Sequence, residues 1–216
     1  MLRTKIKASS ITHLTDARYF AAWEVEWLGF QLSPGSEHTV DPRLVSTLRE
    51  WVDGVKICGE FNLATGPDIL AAIDLLALET VEVGMFTPRE TLVQLQGKAE
   101  IIQEVVVEAY ADTSNLEELM LEHQDLVAYF LLHFGKGGIT WADLQAGIPL
   151  PVEQLADWAR RFPLLIDLPL GDTLPQDFLA QVPARGLNVQ GGEEEKVGLK
   201  NFDQLDAFLE DLELLV

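Results

Sequence analysis

The chain has 216 residues, 48% of them hydrophobic, and sets 35 acidic side chains against 15 basic ones, a net charge of −20. That excess excludes, as a first reading, a phosphate-tracking nucleic-acid binder, which needs a basic footprint, and it disfavours an anionic membrane surface. It leaves room for a small anionic ligand held by backbone N–H groups. No apolar run reaches the ~18 residues of a membrane span. The first ten residues lack the apolar stretch of a secretory signal, and the one cysteine, Cys58, permits no internal disulfide. The expectation is a single cytoplasmic domain over 1–216.

Taken in chain order, short apolar runs alternate with amphipathic stretches. Strands are predicted over 4–9, 26–32, 54–61, 80–84, 101–110, 126–133, 163–168 and 186–190. Helices are predicted over 15–25, 42–52, 67–78, 88–96, 114–124, 151–161, 175–181 and 201–214. The units average about 27 residues, near the minimum for a strand and its crossover helix. Strict alternation builds a parallel sheet with helices outside it. Pro42, Pro67, Pro88, Pro151 and Pro175 stand at or near first helical turns, where the missing N–H costs nothing. Ser114 precedes Glu117 at the capping-box spacing, and Asn201 is a candidate cap for the last helix. No linker interrupts the pattern, which predicts a single closed (β/α)₈ TIM barrel in the α/β class; an open doubly wound sheet is the alternative.

Alternation within the strands carries a second message. Lys5, Lys7 and Ser9 alternate with Ile6 and Ala8; Lys56, Cys58 and Glu60 alternate with Val55, Ile57 and Gly59. Glu82 sits between Val81 and Val83, and Glu104, Val106 and Glu108 alternate with Val105, Val107 and Ala109. The apolar sides should meet the helices, so the polar sides should face the lumen. Buried charges must pair or shift their pKa. Lys7 and Lys56 against Glu82, Glu104 and Glu108 are the expected partners.

Three stretches carry a resemblance. Lys5-Ile6-Lys7-Ala8-Ser9-Ser10-Ile11-Thr12, with Leu14, Asp16 and Ala17 after it, is similar to a first strand reading K-V-K-I-C-G-I-T. Trp27-Leu28-Gly29-Phe30-Gln31-Leu32-Ser33-Pro34-Gly35-Ser36 is similar to A-L-G-F-V-F-x-P-x-S. Leu187-Asn188-Val189-Gln190-Gly191-Gly192-Glu193-Glu194, then Gly198, Lys200 and Phe208, is similar to V-D-V-S-S-G-V-E and its following helix. In order and spacing these resemble phosphoribosylanthranilate isomerase, a (β/α)₈ family of tryptophan biosynthesis. The resemblance implies an Amadori rearrangement of a phosphorylated aminoaldose, in which an acid opens the ribose ring and a base removes the C2′ proton.

The resemblance also places the residues of that chemistry. The base position falls on Ser9, where the family has cysteine, and the acid position on His133, where it has aspartate. The substrate positions fall on Lys7, Asn188 and His38, the last where the family has arginine. The phosphate loops fall on Gly171 and Asp172 after the seventh strand, and on Gly191 and Gly192 after the eighth. A serine hydroxyl does not ionise near pH 7 without an adjacent base. His133 is able to give or take a proton. Asp172 and Glu193 to Glu195 bring negative charge to a phosphate site. Val55-Lys56-Ile57-Cys58-Gly59 spells the family's K-I-C-G on the third strand, not the first, and reads as coincidence. Lys136, in a glycine-rich turn after the sixth strand, is a further anion candidate.

The expectation is an isomerase-like barrel with weak or lost activity, without cofactor or metal. Its partner would be a small-molecule ligand, in the family's case a phosphorylated sugar, and neither nucleic acid nor membrane. A non-catalytic small-ligand or protein-binding barrel, or an enzyme on a different polar sugar, is the alternative.

Overall fold

The computed structural model describes residues 1–35, 38–191, 193–196 and 199–214. Eight parallel strands close into a barrel in sequence order: β1 (Lys5–Ser9), β2 (Trp27–Gln31), β3 (Lys56–Phe61), β4 (Thr80–Val83), β5 (Glu100–Val106), β6 (Tyr129–His133), β7 (Leu164–Asp167) and β8 (Gly186–Gln190). β1 pairs with β8 over five residues, from Lys5 opposite Gly186 to Ser9 opposite Gln190, and this closes the ring. The connecting helices are α1 (Leu14–Ala22), α2 (Pro42–Arg49), α3 (Gly66–Leu76), α4 (Arg89–Leu95), α5 (Thr113–His123), α6 (Trp141–Gln145), α7 (Val152–Arg161), α8 (Pro175–Gln181) and α9 (Asp203–Asp211). Polar side chains start several of them. Asp41 accepts from the Arg43 N–H ahead of α2, Thr65 from Asp68 ahead of α3, and Thr140 with Asp143 forms a capping box on α6.

The outer faces of the strands, with Ile6, Ala8, Leu28, Phe30, Val81, Val83, Val105, Leu132 and Ile166, pack against the helices in one buried cluster. The lumen has three layers. At its N-terminal end Lys5 and Lys56 each reach Glu26, at 2.8 and 2.9 Å, and Lys56 also lies 3.5 Å from Glu100. Above them Trp27, Cys58, Ile102, Leu131 and Leu165 form a separate buried apolar cluster. The C-terminal third of the lumen is polar: Lys7, Ser9, Glu60, Glu82, Glu104, His133 and Asn188 are all buried.

Several sequence expectations change. Lys56 pairs with Glu26 and Glu100 at the opposite end of the lumen from Lys7. Glu108 is exposed, because β5 ends at Val106 and the alternation no longer applies beyond it. The connection from β6 to β7 carries an extra helix, α6, closed by its capping box over too few residues to leave a periodic signal. Glu193–Lys196 and Leu199–Asn201 pair as an antiparallel hairpin, β9 and β10, so Asn201 ends a strand and Phe202 stands at the N-cap of α9. α5 is capped by Asp112, whose side chain accepts from the Ser114 N–H, so Ser114 is inside the helix. Ser36, Gly192 and Gly198 of the sequence matches lie outside the described residues.

Candidate functional site

The C-terminal ends of the strands bring the polar lumen residues into one hydrogen-bonded chain. Register sets the neighbours: Glu60 lies opposite Glu82, Lys7 opposite Asn188, and His133 opposite Asp167. Two carboxylates side by side repel unless a cation joins them, and Lys7 supplies it. Its Nζ lies 2.5 Å from Glu60 Oε1 and 2.9 Å from Glu82 Oε2. It also donates to Ser9 Oγ at 2.5 Å. Ser9 donates to Asn188 Oδ1 at 2.7 Å, and Asn188 Nδ2 donates to Asp167 Oδ2 at 2.8 Å. One hydroxyl donor and one carboxylate acceptor fix the orientation of the Asn188 amide. Asp167 Oδ1 lies 3.2 Å from His133 Nδ1, which accepts the Lys136 backbone N–H at 3.2 Å.

Local backbone choices make this possible. Gly29 on β2 faces the ion pair: a Cβ there would stand 2.1 Å from Glu60 Oε1 and 3.0 Å from Lys7 Nζ. Gly135 likewise gives way to Asp167, whose Oδ1 would lie 2.8 Å from an added Cβ. Ser10 takes a left-handed φ of 55°. Its N–H points at Glu60 Oε2, 3.2 Å away. A non-glycine residue in that region is strained and is held by its surroundings.

Charge and burial set the protonation states. Burial opposes the Lys7 ammonium, but Glu60 and Glu82 outweigh it and hold its pKa well above the usual lysine value. Burial pushes Glu82 up to about 7, against the pull of Lys7 and with Glu60 and Glu104 adding to the rise. Burial also pushes Asp167 up to about 6, although the Asn188 hydrogen bond, Lys136 and Lys7 work the other way. His133 is driven down to about 3 by burial and by the ammonium groups of Lys136 and Lys7. The imidazole is therefore neutral at pH 7, with Nδ1 as acceptor and the proton on Nε2. Burial raises the Cys58 thiol well above its ordinary value.

Above the chain opens a cleft of about 430 Å³, counted out to bulk solvent. Its walls include Ser9, Ser10, Glu60, Glu82, Glu104, His133 and Lys136, with the amides Gln31, Asn62 and Gln190. Lys136 reaches across to pair with Glu104. Among the described residues no group of three His, Cys, Asp or Glu side chains is arranged to hold a metal ion.

Of the described phosphate candidates, Gly171, Asp172 and Gly191 do not line this cleft. Gly171 turns with a φ of +61° in the exposed loop after β7, and Asp172 beside it is exposed. Gly191 faces α1, where a Cβ would stand 3.2 Å from Asp16 Oδ2. The space between the β7 and β8 ends and α8 is a small pocket lined by Leu168, Leu170, Phe178 and Phe208 with Asn188 at its wall. The first-turn N–H of Gln176 in α8 already donates to Asp211 at 2.8 Å.

Of the residues singled out in the sequence, Ser9, His133 and Asn188 meet in one network with Lys7. Lys7 lies beneath the cleft surface, fully buried. His38 is exposed in the loop between β2 and α2 and does not line the cleft. Gly192 is outside the described residues. Asp167 was not singled out, and Glu60 was read as facing the lumen but not as the partner of Lys7. Their signal was present: both are acidic and stand at or next to the C-terminal end of a strand, where this fold places its chemistry.

Solved phosphoribosylanthranilate isomerases share this architecture. The enzyme from Thermotoga maritima matches with a TM-score of 0.75 at 19% identity, covering 97% of this chain and 98% of that one. The enzyme from Thermus thermophilus matches with a TM-score of 0.71 at 21% identity, covering 96% and 98%. A phosphoribosylanthranilate isomerase solved in complex with reduced 1-(o-carboxyphenylamino)-1-deoxyribulose 5-phosphate matches at 0.73 and 19% identity, covering 97% and 98%. No family model matches the chain. No curated protein matches it significantly in sequence. At these identities the likeness is one of fold.

Proposed function

We propose that the chain is a divergent barrel of the phosphoribosylanthranilate isomerase lineage, one domain over 1–216, that binds a small polar ligand at its C-terminal mouth. In it the family's Amadori rearrangement is weak or lost. The observation that carries this reading is the setting of Ser9. Its hydroxyl accepts a hydrogen bond from the Lys7 ammonium and donates one to the Asn188 amide oxygen. No group beside it accepts a proton strongly enough to make an alkoxide, so the base position holds no base. The acid position fares no better, because a His133 held neutral at pH 7 has no imidazolium proton to give. Asp172 in the loop after β7 and the first-turn N–H of α8, already engaged by Asp211, support weak phosphate binding as well.

Turnover of phosphoribosylanthranilate by the purified protein, followed by loss of substrate fluorescence, tests the reading. Little or no turnover is expected. Robust turnover that disappears in Ser9→Ala or His133→Ala overturns it.

One observation favours a second reading, an enzyme on a different polar sugar. Glu82 lines the cleft and is pushed up to about 7, the range a general acid or base needs. Exchange of the C2 proton of ribose in D₂O, read by proton NMR and lost in Glu82→Gln, would distinguish it.

A further inference from the structure

We infer that His133 and Asp167 form a switchable pair: the backbone N–H of Lys136 holds the imidazole as a hydrogen-bond donor to the cleft, and withdrawal of that N–H turns it into a proton acceptor. Asp167 is the positioning residue of the second state. The inference rests on the reading of the mouth as a ligand site and concerns how that site is set.

His133 Nδ1 has two exclusive choices. The Lys136 N–H donates to it from 3.2 Å, and Asp167 Oδ1, also at 3.2 Å, is a carboxylate oxygen to which it can only donate. A neutral imidazole has one N–H and one lone pair, so the partner that Nδ1 serves decides what Nε2 carries. Bonded to the Lys136 N–H, Nδ1 spends its lone pair and Nε2 bears the proton. Bonded to Asp167, Nδ1 bears the proton and Nε2 keeps the lone pair. The ring is part of the cleft wall, so a ligand meets the difference. Net charge is the same in both states: the proton that Nε2 gives up to water is matched by one taken up at Nδ1.

Both states are built into the site. β6 and β7 set His133 opposite Asp167. Asp167 Oδ2 accepts from Asn188 Nδ2 at 2.8 Å, and Asn188 is itself held by Ser9, so Oδ1 is the oxygen turned to the ring. The first state depends on the single 3₁₀ turn Gly135–Gly137. This turn lies close over the pair: a Cβ on Gly135 would stand 2.8 Å from Asp167 Oδ1 and 3.5 Å from His133 Cε1. Gly137 rests against β5, where an added Cβ would collide with the Val107 carbonyl oxygen. A carboxylate bond is charge-assisted and the stronger of the two, so the amide prevails only while the turn aims it at Nδ1. With the turn displaced, Nε2 accepts a proton from a ligand hydroxyl and Asp167 stabilises the imidazolium that forms.

The test is long-range ¹H–¹⁵N NMR of the His133 ring at pH 7 in the whole protein, beside Lys136→Ala and Lys136→Pro. Alanine removes the ammonium and keeps the N–H; proline removes both. Wild type and Lys136→Ala should carry the proton on Nε2. Lys136→Pro should shift the tautomer ratio about tenfold or more toward Nδ1–H, and adding Asp167→Ala should shift it back. Diethylpyrocarbonate, which attacks the unprotonated nitrogen, should modify His133 about tenfold faster in Lys136→Pro than in Lys136→Ala, read by mass spectrometry. Gly137→Ala, which must lift the turn from Val107, makes the same shift should Lys136→Pro fail to fold. A proton on Nδ1 in the wild type, Nε2–H retained once the turn is displaced, or Nδ1–H that persists without Asp167 overturns the switch. None of these measurements uses phosphoribosylanthranilate, so failure of the switch and failure of the lapsed-isomerase reading are told apart.

Discussion

Nδ1 of His133 stands between an acceptor and a donor and can serve only one of them: Asp167 Oδ1 at 3.2 Å would take a proton from it, and the Lys136 amide at 3.2 Å donates to its lone pair. Burial disfavours the imidazolium first of all, and protonating that nitrogen would also break the Lys136 bond and set a third cation near Lys136 and Lys7, so the imidazole stays neutral. NMR of the ring should show no titration step between pH 5 and 8 and a proton on Nε2. A midpoint near the ordinary histidine value would contradict this. The stability consequence follows from the sign. The folded pKa, about 3, lies below the unfolded value, so the unfolded chain gains a proton first as pH falls. The wild type should therefore lose stability relative to His133→Asn as pH drops below about 6.5, by up to about 1.4 kcal/mol per pH unit.

Glu82 has the opposite sign. Its folded pKa, about 7, lies above its unfolded value. Its contribution is fully present below about pH 4.5 and is lost as pH rises through 7. Urea denaturation of Glu82→Gln beside the wild type should show the variant gaining on it across that window, by roughly 1–3 kcal/mol, with no further gain above pH 8. A difference that is flat with pH would mean that Glu82 is not charged at a cost in the folded state.

Removing the cation should be worse than removing either anion. Lys7→Met leaves Glu60 and Glu82 facing each other in the lumen, and the loss should be about 3–5 kcal/mol by chemical denaturation. The triple change Lys7→Met, Glu60→Gln, Glu82→Gln should recover much of it. If the single and triple variants are equally unstable, shape and not charge governs the site.

Much of this was legible from the sequence, for a physical reason. A strand has a period of two, so Lys7, Ser9, Glu60, Glu82 and Glu104 could be assigned to the lumen from alternation alone. Which of them would touch was not legible, because pairing depends on strand stagger and on depth along the barrel. Lys56 illustrates it: two strand residues below Cys58, it belongs to the N-terminal mouth and to Glu26 and Glu100. Asp167 illustrates the other limit. It ends a short strand, Leu164–Asp167, whose other three residues are all apolar, so no alternation announces an inward side chain. The eight βα units were readable from apolar runs and proline starts. α6 and the hairpin after β8 were not, since a five-residue helix and strands of four and three residues are too short to carry a period.

Gly29 offers a direct check on the ion pair's geometry. Gly29→Ala would push a methyl group against Glu60 Oε1, and the close contact with Lys7 gives that carboxylate little room to retreat. A destabilisation of about 1–3 kcal/mol is expected by urea denaturation, as for other overpacked cores. It should be smaller in a Glu60→Ala background, where the clash is gone.

Cys58 should be silent toward thiol reagents in the folded protein. It is fully buried beside Trp27 and its thiol is held protonated. Labelling by Ellman's reagent should follow global unfolding in urea. Rapid labelling of the native protein would mean that the lumen opens on its own.

The apolar cluster around Cys58 also acts as a partition. Trp27, Ile102, Leu131 and Leu165 fill the lumen between the Lys5–Lys56–Glu26–Glu100 group below and the Lys7 network above. This layer of apolar side chains separates the ions of the lower rim from those of the mouth. The two chambers can thus diverge independently. Substitutions at the floor tune how firmly the barrel is closed, and those at the mouth tune what enters it, so a lineage is free to exchange its ligand while keeping the same foundation.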